Sequence, residues 1–435
     1  MGSQSAGFTA ASYAKVLNRG AEVTLIEKRP YGLYHPCGIP LAIRGDVDFK
    51  DLLHRSAPPG VKLICGTEAV EIDQESKKLR LREVSSGKES LISYDSLVVA
   101  TGGKPVRPDI PGIDLNGVYT LRTVEDGEAI LRRLHLVKCA AVVGGGPVGV
   151  EVSFSLAKRG ARVTVVEQMP HLLPSMLDPD MSDQIAKKLE SEGIQVICGE
   201  AVSELVGKKE VTGVIAGRDE QPASLVVVAA GVKPEVSVAE CSGIKVGRTG
   251  GIQVDDRMRT SAEDVFAAGE CAETKNMITN KPVVSFLAST AMAMGRAAGI
   301  NAAGGNAKFR GVLGSTVVSV GDLTAGATGL NLQSAEQAGF KVVSARVRVL
   351  DRPIYSGGEH LLVKLLADSG SGKIVGGQII GRNGVAEMVD LLSFAISSGA
   401  AVEDLRDYEH CYMPSISDLI GPLQVAADAL IRKMG

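Results

Sequence analysis

Residues 139–151 read CAAVVGGGPVGVE, and the fold turns on them. Cys139 to Val143 form a small, apolar run of the kind that a fully buried strand requires. The run breaks into Gly144-x-Gly146-x-x-Gly149, and GGGPVGVEVSFSLAK continues as a helical stretch. After it, AKRGARVTVVEQMP (157–170) turns at Gly160 and forms a second apolar strand that ends on Glu167. Strand, glycine turn, helix, strand and acid together make the fingerprint of a dinucleotide-binding unit. Each part has a chemical task. The glycines let backbone close on a pyrophosphate, and the helix N-terminus offers it unpaired N–H groups and a positive dipole. The acid accepts hydrogen bonds from a ribose diol and repels a 2′-phosphate, so NADH is favoured over NADPH.

The unit occurs twice. NRGAEVTLIEKRP (18–30) matches the later segment at Arg19-Gly20-Ala21, Val23-Thr24 and Glu27, and GSQSAGFTAASYAKVL (2–17) precedes it. Here Gln4 stands at the middle glycine of Gly2-x-Gln4-x-x-Gly7, and only Met1 precedes the turn. A doubly wound sheet places its first strand centrally, so the expectation is a chain start lying a few residues late.

Bulk properties narrow the class. A chain of 435 residues holds two or three domains, and a net charge of -3 gives no general attraction to nucleic acid or an anionic membrane. No apolar run approaches the roughly 18 residues of a membrane span, and MGSQSAG lacks a signal-peptide pattern. The seven cysteines (37, 65, 139, 198, 241, 271 and 411) form no CxxC and no metal-ligand spacing. They read as reduced thiols of a cytoplasmic α/β enzyme without a metal.

Three further segments extend the pattern. YDSLVVATGGKPVRPDIPG (94–112) carries a strand before Thr101-Gly102, TSAEDVFAAGECAE (260–273) carries one before Gly269-Glu270, and AAGVKPE spans 229–235. With the two glycine turns, these resemble the pyridine nucleotide–disulfide oxidoreductases, flavoproteins with two dinucleotide domains. The resemblance implies FAD at the first turn, held by Gly2, Ser5, Ala6, Gly7, Glu27, Lys28, Ala100, Thr101 and Gly102. Gly269 and Glu270 would meet its ribityl chain and pyrophosphate, although the family usually has Asp where Glu270 stands. NADH or NADPH would occupy the second turn, at Gly144, Gly146, Val148, Gly149, Glu167 and Gly231. Glu151 falls where the family has an acid beside the nicotinamide; a plain first-turn helix acid is the alternative.

YGLYHPCGIPLAIRGD (31–46) puts one cysteine, Cys37, shortly after the first acid. The glutathione reductase branch carries CxxxxC there. A lone cysteine resembles coenzyme A disulfide and persulfide reductases, NADH oxidases and peroxidases, whose thiol faces the flavin. A nucleophilic thiol must ionise, and GIPLAIRG opening as a helix would lower its pKa. His35 could add charge or a proton; a packed thiol and a loop-stabilising histidine are the alternatives. Oxidases and peroxidases typically carry a histidine where this chain has Ser5. Coenzyme A disulfide reductases use two C-terminal tyrosines, matched by Tyr355 in DRPIYSGG and Tyr412 in EHCYMPSISDLIGPLQVAAD. A tyrosine hydroxyl can donate to a thiolate leaving group; interface packing is the alternative. Lys15 and Arg19 only partly match the family's coenzyme A cations, and His410 and Cys411 flank Tyr412.

The expected architecture is α/β. A split FAD domain (1–110 and 234–310) would enclose an NAD(P)H domain (111–233), and an α+β dimerisation domain (311–435) would build a homodimer. The expected function is NAD(P)H-dependent reduction of a small-molecule disulfide, persulfide or polysulfide through Cys37, with coenzyme A an open possibility. The alternatives are an NADH oxidase and a reductase for an iron–sulfur protein.

Overall fold

A computed structural model describes residues 1–54 and 56–435. Helix α1 (Ser5–Leu17) leads to strand β1 (Val23–Ile26), helix α2 (Ile39–Arg44), β2 (Val61–Ile64) and β3 (Leu97–Val99). Then come β4 (Val118–Thr120), β5 (Cys139–Val143), α3 (Pro147–Lys158), β6 (Arg162–Glu167), β7 (Gln195–Cys198) and β8 (Leu225–Val228). Strand β9 (Val265–Ala267) and helix α4 (Ala288–Ala302) follow. The last part holds β10 (Thr316–Val320), β11 (Leu323–Gly329), β12 (Val342–Leu350), β13 (His360–Asp368) and β14 (Ile374–Gly381), with helices α5 (Val385–Ser397) and α6 (Pro422–Met434).

Two parallel sheets are built alike around their glycine-turn strands and differ at one edge, where β9 comes last in chain order in the first and β4 comes first in the second. The second is complete, as β7-β6-β5-β8-β4. Ala140–Val142 and Leu225–Val227 are almost wholly buried, as central strands covered on both faces must be. In the first, β2 pairs with β1 and β9 with β3, and residues 1–2 lie between the pairs. Met1 N donates to Val98 O at 2.8 Å, Ala100 N to Met1 O at 2.8 Å, and Gly2 N to Ile26 O at 2.8 Å. Residues 1–2 thus hold the position that β5 holds in the second sheet. Helices α1 and α4 pack backbone against backbone beside it. A Cβ at Gly295 would lie 2.3 Å from Ala6 O, and one at Gly299 2.2 Å from Ala10 O.

The third sheet is antiparallel, in the order β10-β11-β14-β13-β12. Every residue of β14 is buried, and α5 and α6 cover the sheet. A polar seam joins this sheet to the second parallel sheet. The buried Lys364 of β13 sets Nζ 2.8 Å from Asp178 and 2.7 Å from Asp180, while Gln378 Oε1 accepts the Asp178 N–H at 2.8 Å. Among the described residues, no helix is long and apolar enough to cross a membrane.

Candidate active site

The two glycine turns have the same internal geometry. Gly2 (φ +88°) and Gly144 (φ +111°) adopt backbone conformations that glycine tolerates. A Cβ at Gly7 would stand 1.8 Å from Gly2 O, and one at Gly149 1.9 Å from Gly144 O, so only glycine lets each helix sit this close to its turn. The acids are held alike. Glu27 accepts from Ser3 N at 3.0 Å and Arg29 N at 3.0 Å, and Glu167 accepts from Gly145 N at 2.6 Å and Met169 N at 2.7 Å. A cradle that a side chain would fill, with a carboxylate at the next strand's end, suits an adenosine diphosphate at each turn. A Cβ at Gly146 would meet open space. The matching Gln4 instead donates to Gly32 O at 3.2 Å and accepts from Tyr34 N at 3.3 Å. The side chain that breaks the glycine pattern therefore ties the first turn to the cysteine loop.

That loop is fixed from several sides. His35 N donates to Leu52 O at 2.9 Å and His54 N to Leu33 O at 2.7 Å. The Tyr34 hydroxyl donates to Arg122 O at 2.9 Å, and the Arg29 guanidinium stacks 5.1 Å over its ring. Cys37 sits in a 3-10 turn, Pro36–Gly38, ahead of the six-residue α2. The residue is solvent-accessible, on the wall of a cavity of about 1550 Å³ that also meets both glycine turns, and the cavity wall takes its sulfur partly out of water. A lowered thiol pKa was expected from the helix, but the surroundings act the other way. Burial pushes the Cys37 thiol up, Glu151 and Glu270 push in the same direction, and Arg122 and a backbone N–H at Cys37 oppose them. A helix of six residues offers a small dipole against two carboxylates. His35 turns outward and shares a 2.8 Å hydrogen bond with His54, away from the cavity wall.

The remaining charges converge from distant segments. Arg122, after β4, pairs with Glu270, after β9, and its buried Nε has no hydrogen-bond partner among the described residues. An orphaned guanidinium N–H near Gly102, in the cavity that Thr101 and Gly269 also line, fits an anionic group such as a diphosphate. Glu151 lies on the cavity wall in the second turn of α3, past the first-turn place expected of a plain helix acid, and burial raises its carboxyl to about 7. The Ser319 N–H of β10 and the Arg44 charge act in the opposite direction.

Most of the expected positions reach this one cavity. Gly2, Ser5, Ala6, Glu27, Lys28, Ala100, Thr101 and Gly102 line its first part, with Gly269 and Glu270. Gly144, Gly146, Val148, Glu151, Glu167 and Gly231 line its second part, and Gly7 and Gly149 lie beneath the turns. Tyr355 and Tyr412 do not reach the cavity. Both are exposed on the outer face, in segments that also expose Ile354, Met413, Ile416 and Leu419. Gln4 stood out in the sequence only as a departure from the first glycine motif, and its hold on the cysteine loop was not foreseen; Arg29, Arg122 and Ser319 carry no motif, and folding alone brings each into place.

Known proteins share this construction. The family model "Pyridine nucleotide-disulphide oxidoreductase" matches residues 1–295, and the model of that family's dimerisation domain matches 315–422. An NADH oxidase of Methanocaldococcus jannaschii is 37% identical over 443 aligned positions, covering 100% of this chain and 98% of the relative. A CoA-dependent NAD(P)H sulfur oxidoreductase of Pyrococcus furiosus is 32% identical, covering 99% of this chain and 98% of the relative. The structure of a NAD-dependent persulfide reductase from A. fulgidus superposes with a TM-score of 0.96 at 32% identity, covering 99% of this chain and 82% of that one.

Proposed function

The chain belongs to the pyridine nucleotide-disulphide oxidoreductase family, and on that premise we propose that it reduces a small disulfide, persulfide or polysulfide at Cys37. It is an oxidoreductase that uses FAD and NAD(P)H; when bound, these supply hydride acceptance and two-electron storage. The observation that carries the sulfur reading is Cys37 itself, a thiol open to the cavity where the two nucleotide turns meet. Glu27 and Glu167 would orient the two riboses, Arg122 would face the flavin's diphosphate, and Gln4 would hold the thiol loop against the first turn.

The division into 1–110 with 234–310, 111–233 and 311–435 fits the three sheets. The match of the dimerisation model supports a homodimer. In it, the exposed face around Tyr355 and Tyr412 would meet the second copy and bring the tyrosines to its sulfur site. Seven unpaired thiols suit a reducing cytoplasm. Coenzyme A is the favoured carrier of the acceptor sulfur, as in the name of the P. furiosus relative.

Cys37→Ser tests the reading. The variant should still bleach its flavin with NADH, while disulfide turnover falls to background. Full disulfide turnover in the variant would refute the scheme. The M. jannaschii relative, named an NADH oxidase, favours a second reading in which oxygen is the acceptor. Undiminished NADH-dependent oxygen uptake by Cys37→Ser, at the rate of disulfide turnover in the parent, would select it.

A further inference from the structure

Segment 31–52 carries Cys37 and follows the first glycine turn in the chain, yet its buried side chains enter another core. Tyr34, Ile39, Ala42 and Ile43 share one apolar cluster with Val142 of β5 and Val150 of α3. The cluster around Met1, Ile26 and Val99 of the first unit contains no residue of the segment. The helices beside α2 are α3 and Val124–Leu134, both of the unit built on the second glycine turn. Gly127 admits Ile39 and Phe49 against its backbone; a Cβ there would stand 2.5 Å from one and 2.6 Å from the other. The Tyr31 hydroxyl donates to Glu125 Oε2 at 2.9 Å. Arg159 closes the contact from the far side. It follows the last residue of α3 and donates Nε to Ile43 O at 2.7 Å, a last-turn carbonyl that has no partner inside so short a helix. Gly45, at φ +96°, ends α2 there, and a Cβ on it would stand 2.5 Å from the Arg159 guanidinium. The Arg44 guanidinium in turn lies 5.4 Å over the Phe154 ring. Helix α3 therefore has the nucleotide turn at its first end and the end of the thiol helix at its last. From the first turn, Gln4 reaches the loop at Gly32 and Tyr34, ahead of α2.

We propose that the thiol helix is part of the pyridine-nucleotide unit and that Arg159 is its positioning residue, so that a nucleotide at the second turn steadies the backbone carrying Cys37. This needs no particular acceptor, and it rests on the reading of the second turn as the NAD(P)H site. The coupling works through shared openings. Backbone amides exchange with solvent when their segment parts from its neighbours, and a ligand that binds only the packed state suppresses every opening that disturbs its site. Loosening of α3 withdraws Val150, Phe154 and Arg159 from α2 at once, and a nucleotide on the N-terminus of α3 opposes that loosening. The strands Thr67–Asp73 and Lys78–Glu83 bury Ile72 and Leu79 in the other cluster and share no such opening. Arrival of the electron donor is thereby felt at the thiol turn before any electron moves.

The test is hydrogen exchange on the FAD-loaded, oxidised enzyme, read by mass spectrometry with and without ADP-ribose at about 100 times its dissociation constant. ADP-ribose has the adenosine diphosphate that the second turn would hold and lacks the nicotinamide. Amides of 39–45 should exchange at least about 10-fold more slowly in its presence, within the roughly 100-fold that such saturation allows. Those of 67–83 should keep their rates. In Arg159→Met, amides of 39–45 should exchange about 10-fold faster than in the parent, because a charge-assisted hydrogen bond is lost. Arg159→Lys, which can still donate to Ile43 O, should restore most of the difference. Exchange in β5 and β6 should match the parent in both variants. Exchange at 39–45 that ignores bound ADP-ribose would overturn the coupling, and so would equal slowing at 67–83. Unchanged exchange at 39–45 in Arg159→Met, or faster exchange throughout the second unit, would remove Arg159 as the positioning residue. Should that variant not fold, the two profiles of the parent decide. Calorimetry on the same sample shows whether ADP-ribose binds; no binding would sink the second-turn reading and the coupling with it, whereas binding without slowing sinks the coupling alone.

Discussion

Glu167 uses both carboxylate oxygens on backbone N–H groups, at 2.6 and 2.7 Å, and so is aimed before any ligand arrives. Its position at the end of β6 places a negative charge where a 2′-phosphate would have to sit. Glu167→Ala combined with Gln168→Arg should raise the NADPH-to-NADH ratio of kcat/KM by about 10-fold or more, because a repulsion is replaced by a charge-assisted hydrogen bond. The ratio is insensitive to how much of each preparation folds. An unchanged ratio would mean that the adenosine lies elsewhere.

The glycine turns are the elements that sequence states most openly, since a backbone that must touch backbone admits one residue type at fixed spacing. Gly149→Ala should push α3 off Gly144 O and weaken NADH binding at least about 10-fold, leaving flavin content intact. Gly7→Ala should do the reverse and yield protein depleted in flavin, read from its visible absorbance. Loss of both nucleotides in each variant would break the assignment of one turn to one cofactor. Cys37 was legible for a similar reason, being a lone thiol at a set distance from the first acid. Arg122 was not, because it approaches Glu270 only when β4 and β9 take their places in separate sheets. Ser319 contributes a backbone N–H, which any residue type supplies, and the direction of the Cys37 shift depended on two acids far from it in sequence.

At the scale of the molecule, the outer face of the third sheet's region exposes Ile416 (74%) and Leu419 (67%), more apolar area than a solitary subunit favours. Replacing both with glutamate should convert a dimer to monomers, measured by light scattering, and cut disulfide turnover while Cys37 alkylation persists. Monomers with full turnover would show that Tyr355 and Tyr412 serve no neighbouring site. Lys364 bears on motion within one subunit. Its ammonium is buried against the buried Asp178, with the partly exposed Asp180 beside it, and parting the buried pair would strand charge in a dry place at about 3–5 kcal/mol. The antiparallel sheet and its parallel neighbour are therefore latched. Whatever movement admits a dinucleotide to the second turn must carry these two parts together, as one piece.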